Sequence, residues 1–190
     1  MKKILAQFCY LTVISLTFLS TDFSQAADPV AMETLHISNG KVDFFAVGRP
    51  SMLKVHGVGK ALEGTLNKKL SEISGHFSMK MNDFSSGLGL RDSHTKEKVF
   101  EVEKYPTAEL TFKPTNVKPG EKTKIPAILK FHGVEKEVQC ETTINVAGDK
   151  VTFESTFPMQ LTDFSIQPPE FAGMKINNDV RVEVSGEATK

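Results

Sequence analysis

Arg91, Asp92 and His94 lie together in the run Gly87-Leu88-Gly89-Leu90-Arg91-Asp92-Ser93-His94. A guanidinium offers a planar fork of donors to an anionic or carbonyl oxygen, and an imidazole beside it adds a second donor or an acid–base group. Such a set could grip a polar head group, or act on it as a small catalytic centre. The same residues also suit a structural knot. Asp92 or Ser93 would then cap a short helix, Arg91 would pair with a carboxylate, and His94 would sit in the first turn.

The other reactive side chains make weaker cases. His36, His56, His76, His94 and His132 show none of the spacings of a metal site, which needs three or four convergent N, S or O donors. No metal is therefore expected. Cys140 falls on the apolar side of its segment and reads as a small buried hydrophobe, since a reactive thiol needs an exposed, electropositive setting. The sequence contains no Gly-x-Ser-x-Gly elbow, P-loop or dinucleotide fingerprint, so no cofactor is expected either.

The elements that would hold these residues are strands. Apolar and polar residues alternate in Ile73–Met81, Ala108–Phe112, Val138–Val146, Val151–Leu161 and Val180–Ser185. Weaker strand patterns cover Lys41–Val47, Ser51–His56, Lys60–Leu66 and Thr123–Phe131. Turns are expected at Asn39-Gly40, Gly87-Leu88-Gly89, Lys118-Pro119-Gly120, His132-Gly133 and Ala147-Gly148-Asp149. One short helix is expected at Ser93–Phe100, with Pro106 beyond its end. Eight or nine alternating strands predict an all-β fold, an antiparallel sandwich or barrel. The scarcity of edge-breaking prolines favours closure into a barrel of about eight strands.

The first 26 residues read as an export signal. Lys2 and Lys3 precede a largely apolar stretch from Ile4 to Leu19, and Ser24-Gln25-Ala26 offers small residues for cleavage after Ala26. The stretch is short and too diluted by polar residues for a membrane span of ~20 residues. Residues 27–190 would then form one domain with no transmembrane anchor, in the periplasm. Loss of Lys2, Lys3 and Asp22 leaves 21 basic and 22 acidic residues, a balance that gives no electrostatic case for nucleic acid. Trp is absent and Phe recurs throughout, which implies either a generous core or an apolar cavity.

Several motifs in order then carry a resemblance. Gly87 to His94 is followed by Lys104-Tyr105-Pro106 and Ala108-Glu109-Leu110-Thr111-Phe112. Next come Leu129-Lys130-Phe131-His132-Gly133-Val134, Asp163-Phe164-Ser165-Ile166 and Asn178-Asp179-Val180. This series resembles the YceI-like family. Glu135 and Glu137 stand where that family usually has Thr and Pro, and an arginine usual before the Asp-Phe pair is replaced by Leu161 and Thr162. The resemblance implies a lipocalin-like barrel that binds a long-chain apolar lipid (a polyisoprenoid, an isoprenoid quinone or a fatty-acid derivative) and is not an enzyme. It implies a pocket lined by Phe44, Phe77, Met79, Leu110, Phe112, Leu129, Phe131, Phe153, Phe157 and Phe164, with Arg91 and His94 as head-group contacts. The rival expectations are a solid-cored interaction or stress protein, and an enzyme working on such a lipid through Arg91, Asp92 and His94. An uncapped edge strand would allow two copies to pair as a homodimer.

Overall fold

The computed structural model describes residues 31–49, 53–171 and 173–190. The expected export signal and its cleavage point lie outside them. In chain order the strands are β1 (Glu33–Arg49), β2 (Lys54–Gly59), β3 (Leu62–Lys69), β4 (Glu72–Lys80), β5 (Phe84–Ser85), β6 (Thr107–Asn116), β7 (Lys122–Phe131), β8 (Val134–Ala147), β9 (Lys150–Gln160), β10 (Glu170–Phe171) and β11 (Met174–Thr189). Among the described residues there is one α-helix, α1 (Gly89–His94), which runs on into a π-helical turn at Thr95–Val99. Two 3-10 turns cover Met81–Asp83 and Leu161–Phe164.

All strand pairings are antiparallel. The order β1-β3-β4-β6-β7-β8-β9-β11 closes on itself where β11 pairs with β1, giving an eight-stranded barrel. Along that seam Phe44 stands opposite Val182 and Val42 opposite Val184, so inward-facing side chains meet in register. Closure leaves only β5 and β10 at the ends of the sheet. An edge-paired dimer would therefore have to be built on those two-residue strands or the short β2 beside β5.

Alternation explains the core. Along β7, Ile125, Ala127, Leu129 and Phe131 are buried, while Lys124, Pro126, Ile128 and Lys130 are exposed. Pro126 is tolerated because the β6–β7 ladder begins one residue later, at Ala127, leaving no partner on that side for the missing N–H. At the end of the barrel that holds the β3–β4, β6–β7 and β8–β9 turns, Leu35, Leu66, Ile73, Ile144 and Val151 fill the interior at 1–3% exposure. The opposite rim carries residues 81–106, the β7–β8 hairpin and residues 161–171.

Local details differ from the sequence expectations. Asn39-Gly40 is not a turn. It lies inside β1 at a bulge, where Gly40 faces Gly186 and a Cβ on Gly186 would come within 2.6 Å of the Asn39 carbonyl oxygen. The weak pattern at Ser51–His56 resolves as β2 from Lys54 to Gly59, and that at Lys60–Leu66 as β3 from Leu62 to Lys69. Both pair with β1, interrupted at Lys60-Ala61. The helix begins at Gly89 rather than Ser93. Neither Asp92 nor Ser93 is its N-cap; Asp92 is within the first turn, and its amide donates to the Leu88 carbonyl at 2.9 Å.

Candidate functional site

The barrel interior is apolar along its axis but not uniformly filled. A chamber of about 270 Å³ opens at the rim that carries α1. Its walls come from β1 and β2 (Phe44, Ala46, Val55, Gly57), from residues 84–100, and from Met159, Leu161, Met174, Ile176 and Val180 on β9, β11 and the turn between them, β11 being paired with β1. Below it lies a void of about 50 Å³ among Val42, Leu62, Phe77, Met79, Leu110, Leu129 and Phe157. A deeper one of about 20 Å³ lies among Phe112, Ile125, Cys140 and Phe153. Phe44, Phe131 and Met159 border both chamber and middle void; Phe77, Leu110 and Val184 border both middle and deep voids. Two side-chain constrictions therefore interrupt one apolar column.

Phenylalanines build the roof as a chain of edge-to-face and tilted contacts. Phe44 meets Phe84 at 5.8 Å between ring centroids, Phe84 meets Phe100 at 5.1 Å, and Phe100 meets Phe131 at 5.7 Å. Deeper down, Phe77 stacks on Phe153 at 5.1 Å. Of the residues expected to line a pocket, Phe44, Phe77, Met79, Leu110, Phe112, Leu129, Phe131, Phe153 and Phe157 all border the column. Phe164 does not. It is 1% exposed in the Leu161–Phe164 turn and packs behind Phe131 at 5.6 Å, outside the column, because strand alternation no longer governs a 3-10 turn.

Arg91 and His94 both reach the chamber wall, where they are the only ionisable side chains among the described residues. Arg91 is also part of a local knot. Its Nε donates to Ser86 Oγ at 2.7 Å and its Nη2 to the Ser86 carbonyl at 2.9 Å. The Asp92 carboxylate accepts from the Ser86 amide at 2.7 Å, from the Ser86 hydroxyl, and from the Ser85 hydroxyl at 2.9 Å. Partial burial pushes the Asp92 carboxyl up, but the hydrogen bonds from Ser86 and Ser85 outweigh it and hold the group below its ordinary range. Asp92 is thus a fixed anion that ties β5 to α1, a poor acid or base.

The sequence reading missed several chamber residues. Leu53, Leu88, Val99, Phe100, Pro169, Met174 and Ile176 come from loops, strand ends and the helical segment, where no period-2 signal marks an inward face. Met159, Leu161 and Val180 were legible as apolar positions, but nothing in the alternation says which end of the barrel widens.

Cys140 is 3% exposed, and burial pushes its thiol up to about 11. Among the described residues no three or more His, Cys, Asp or Glu side chains converge as metal ligands. No helix there is long and apolar enough to cross a membrane.

The YceI-like domain model matches residues 31–188, which is the whole barrel. The chain belongs to the YceI-like family. The chain is also similar to a UPF0312 protein of Pseudomonas putida, 31% identical over 143 residues, spanning 68% of this chain and 72% of the relative. Among solved structures the barrel is similar to a polyisoprenoid binding domain from Saccharophagus degradans implicated in plant cell wall breakdown. The TM-score is 0.68 at 14% identity, covering 82% of this chain and 97% of the other. It is also similar to Burkholderia cenocepacia BcnA, with a TM-score of 0.67 at 18% identity, covering 78% and 96%. At these identities the likeness is one of fold.

Proposed function

We propose that this YceI-like barrel binds and carries or sequesters a long-chain apolar lipid (a polyisoprenoid, an isoprenoid quinone or a fatty-acid derivative) in the periplasm. The observation that carries this reading is the apolar column, a chamber of about 270 Å³ that continues through two constrictions toward the closed end. The chamber is nearly twice the ~150 Å³ apolar cavity known to stay dry and bind benzene. It approaches the ~300–1,000 Å³ range of small-molecule sites.

A chain of ~20 carbons buried at ~0.8 kcal/mol each gains roughly 16 kcal/mol gross. Association costs of ~4–15 kcal/mol leave about 1–12 kcal/mol, which reaches micromolar affinity without a strong polar anchor when the cost is below about 8 kcal/mol. The chamber alone cannot take so long a chain. The tail must pass the Phe44/Phe131/Met159 constriction, where an unbranched methionine adapts its shape most readily. Arg91 and His94 at the chamber wall meet the head group. Two of Arg91's five N–H donors are engaged by Ser86, which fixes the guanidinium in place rather than consuming it.

The reading is binding rather than catalysis, because the carboxylate beside Arg91 and His94 is held by three donors. The name of the Saccharophagus degradans neighbour supports the same substrate class.

Native mass spectrometry of protein expressed with its leader, with an organic extract run alongside, tests the reading. A co-purifying apolar species that is lost on denaturation supports it. A protein that stays apo after incubation with isoprenoids, quinones and fatty acids refutes it in favour of a solid-cored interaction module.

A further inference from the structure

His132 occupies the tip of the β7–β8 hairpin yet is 8% exposed. Its Nδ1 lies 3.0 Å from the Phe164 carbonyl oxygen, and its Nε2 lies 3.0 Å from Glu101 Oε2. Carbonyl and carboxylate oxygens only accept, so both contacts are hydrogen bonds only when a proton stands on each line. A neutral imidazole carries one N–H. With both bonds made at once, the His132–Glu101 pair would hold one proton more than a neutral histidine beside an ionised glutamate. This is so whether the pair is written as imidazolium with carboxylate or as imidazole with carboxylic acid.

The backbone is bent to build this contact. Glu101, His132 and Ser165 have φ of 46°, 49° and 59°. They are three of the four non-glycine residues in the left-handed region among the described residues. That region is costly for any residue with a Cβ. Glu101 supplies the carboxylate, His132 the ring, and Ser165 follows the accepting carbonyl. Each partner also adjoins the chamber roof: Phe100 precedes Glu101, Phe131 precedes His132, and Leu161 opens the turn that ends in Phe164.

We infer that His132 and Glu101 form a proton-dependent pin that holds three segments of the chamber roof together and releases them as pH rises. Once the extra proton leaves, the ring keeps one N–H and can bond only one partner; at the other contact, with the Glu101 carboxylate or the Phe164 carbonyl, a ring lone pair faces an oxygen and the tie becomes a repulsion. Two other groups face the pair: Tyr105 against the ring, and Lys104, whose charge is attracted to Glu101. Tyr105 lies with its ring centroid 4.3 Å from that of His132, and Lys104 Nζ lies 4.8 Å from the Tyr105 centroid. Other charged side chains close in sequence to the three partners are Lys98, Glu103, Lys130, Glu135, Lys136 and Asp163. Of these, Lys130 is paired with Glu109 at 3.7 Å. The consequence for cargo, faster release at higher pH, rests on the carrier reading; the pin itself does not.

The test is amide hydrogen exchange of Phe100, Val102 and Tyr105, whose N–H groups bond the Thr95, Lys96 and Glu101 carbonyls, and of Ser165 and Ile166, whose N–H groups bond the Thr162 and Leu161 carbonyls. Rates are corrected for intrinsic base catalysis and followed from acid to alkaline pH. Loss of one charge-assisted bond should speed corrected exchange by ~10-fold or more across the transition. Glu101→Gln should give a flat profile, because its amide donates to a bare Nε2 and its carbonyl accepts from a protonated one. His132→Asn tolerates the left-handed backbone but cannot span both partners, and should exchange fast throughout.

Coincident wild-type and Glu101→Gln profiles would overturn the inference. So would ¹⁵N shifts showing a singly protonated His132 beside an ionised Glu101 while exchange is still slow. Release of a dansyl-labelled farnesyl probe should follow the same pH profile in wild type and lose it in Glu101→Gln. If the probe never binds, the carrier reading fails, and the exchange profiles still decide the pin.

Discussion

Filling the chamber should abolish binding without harming the fold, and Ala46→Phe is the variant to make. Ala46 is an interior position of β1, opposite Val180 on β11 and Val55 on β2, and all three residues line the chamber. The substitution adds one phenyl ring, about one benzene. Since a ~150 Å³ cavity holds a benzene, the added ring takes roughly half of the 270 Å³. At that scale the empty chamber holds about ten ligand carbons, and the variant excludes about five. At ~0.8 kcal/mol per carbon the loss is ~4 kcal/mol, close to 1,000-fold in Kd. Stability should stay level or rise, because the ring enters space rather than displacing packed atoms. Displacement of a fluorescent long-chain probe gives Kd, and urea unfolding gives the control. A folded Ala46→Phe protein that binds within about threefold of wild type would refute the assignment of the chamber as the site.

Other consequences follow from particular residues. Cys140, with its thiol pushed up to about 11, should react with a disulfide reagent at pH 8 at least ~100-fold more slowly in the native protein than in urea; equal rates would mean the strand is open. Gly64→Ala should cost ~3 kcal/mol or more by denaturant midpoint, since φ is +148° and the new Cβ would lie 2.2 Å from the His76 carbonyl oxygen. Asp92→Ala should cost ~1–2 kcal/mol by removing an acceptor used by Ser85 and Ser86. Because the folded Asp92 carboxyl sits below its ordinary range, its contribution is present above the unfolded value and is lost as pH falls through the folded one. The variant should therefore show a shallower loss of stability toward acid, read from thermal midpoints between neutral pH and pH 2.

The barrel was legible because period-2 alternation is a direct image of inside and outside. Phe77, Met79, Leu110, Phe112, Leu129, Phe131, Phe153 and Phe157 reach the column because they sit on strands. Phe164 stays out of it because it does not. The interruption at Lys60-Ala61 and the bulge at Asn39-Gly40 left no such image. Asn-Gly is a turn signal by residue type, and only the facing Gly186 on a strand distant in sequence explains a glycine inside β1. The Arg91-Asp92-His94 run was visible as a cluster, but its hub, Ser86, is an unremarkable residue in sequence. Hydrogen-bond geometry alone makes it the anchor of both Arg91 and Asp92.

The column and the rim divide the work of such a protein between two kinds of chemistry. Below the chamber the barrel is packed with side chains that alternation dictates, and on the carrier reading its small voids would become ligand volume only by movement of Phe44, Phe131 or Met159, which border both chamber and middle void. Above it, the roof is assembled from segments with little regular structure, held by a few polar ties: Ser86 with Arg91 and Asp92, and His132 with Glu101 and Phe164. Apolar burial supplies affinity but has no direction and no off-switch. Polar ties on the roof are directional, few and individually worth ~1–3 kcal/mol. Capacity should therefore change with substitutions on the strands, and exchange rate with substitutions at Ser86, Glu101 and His132. A variant series in which both classes altered only equilibrium affinity, in proportion to lost stability, would show that the roof is ordinary structure and not a door.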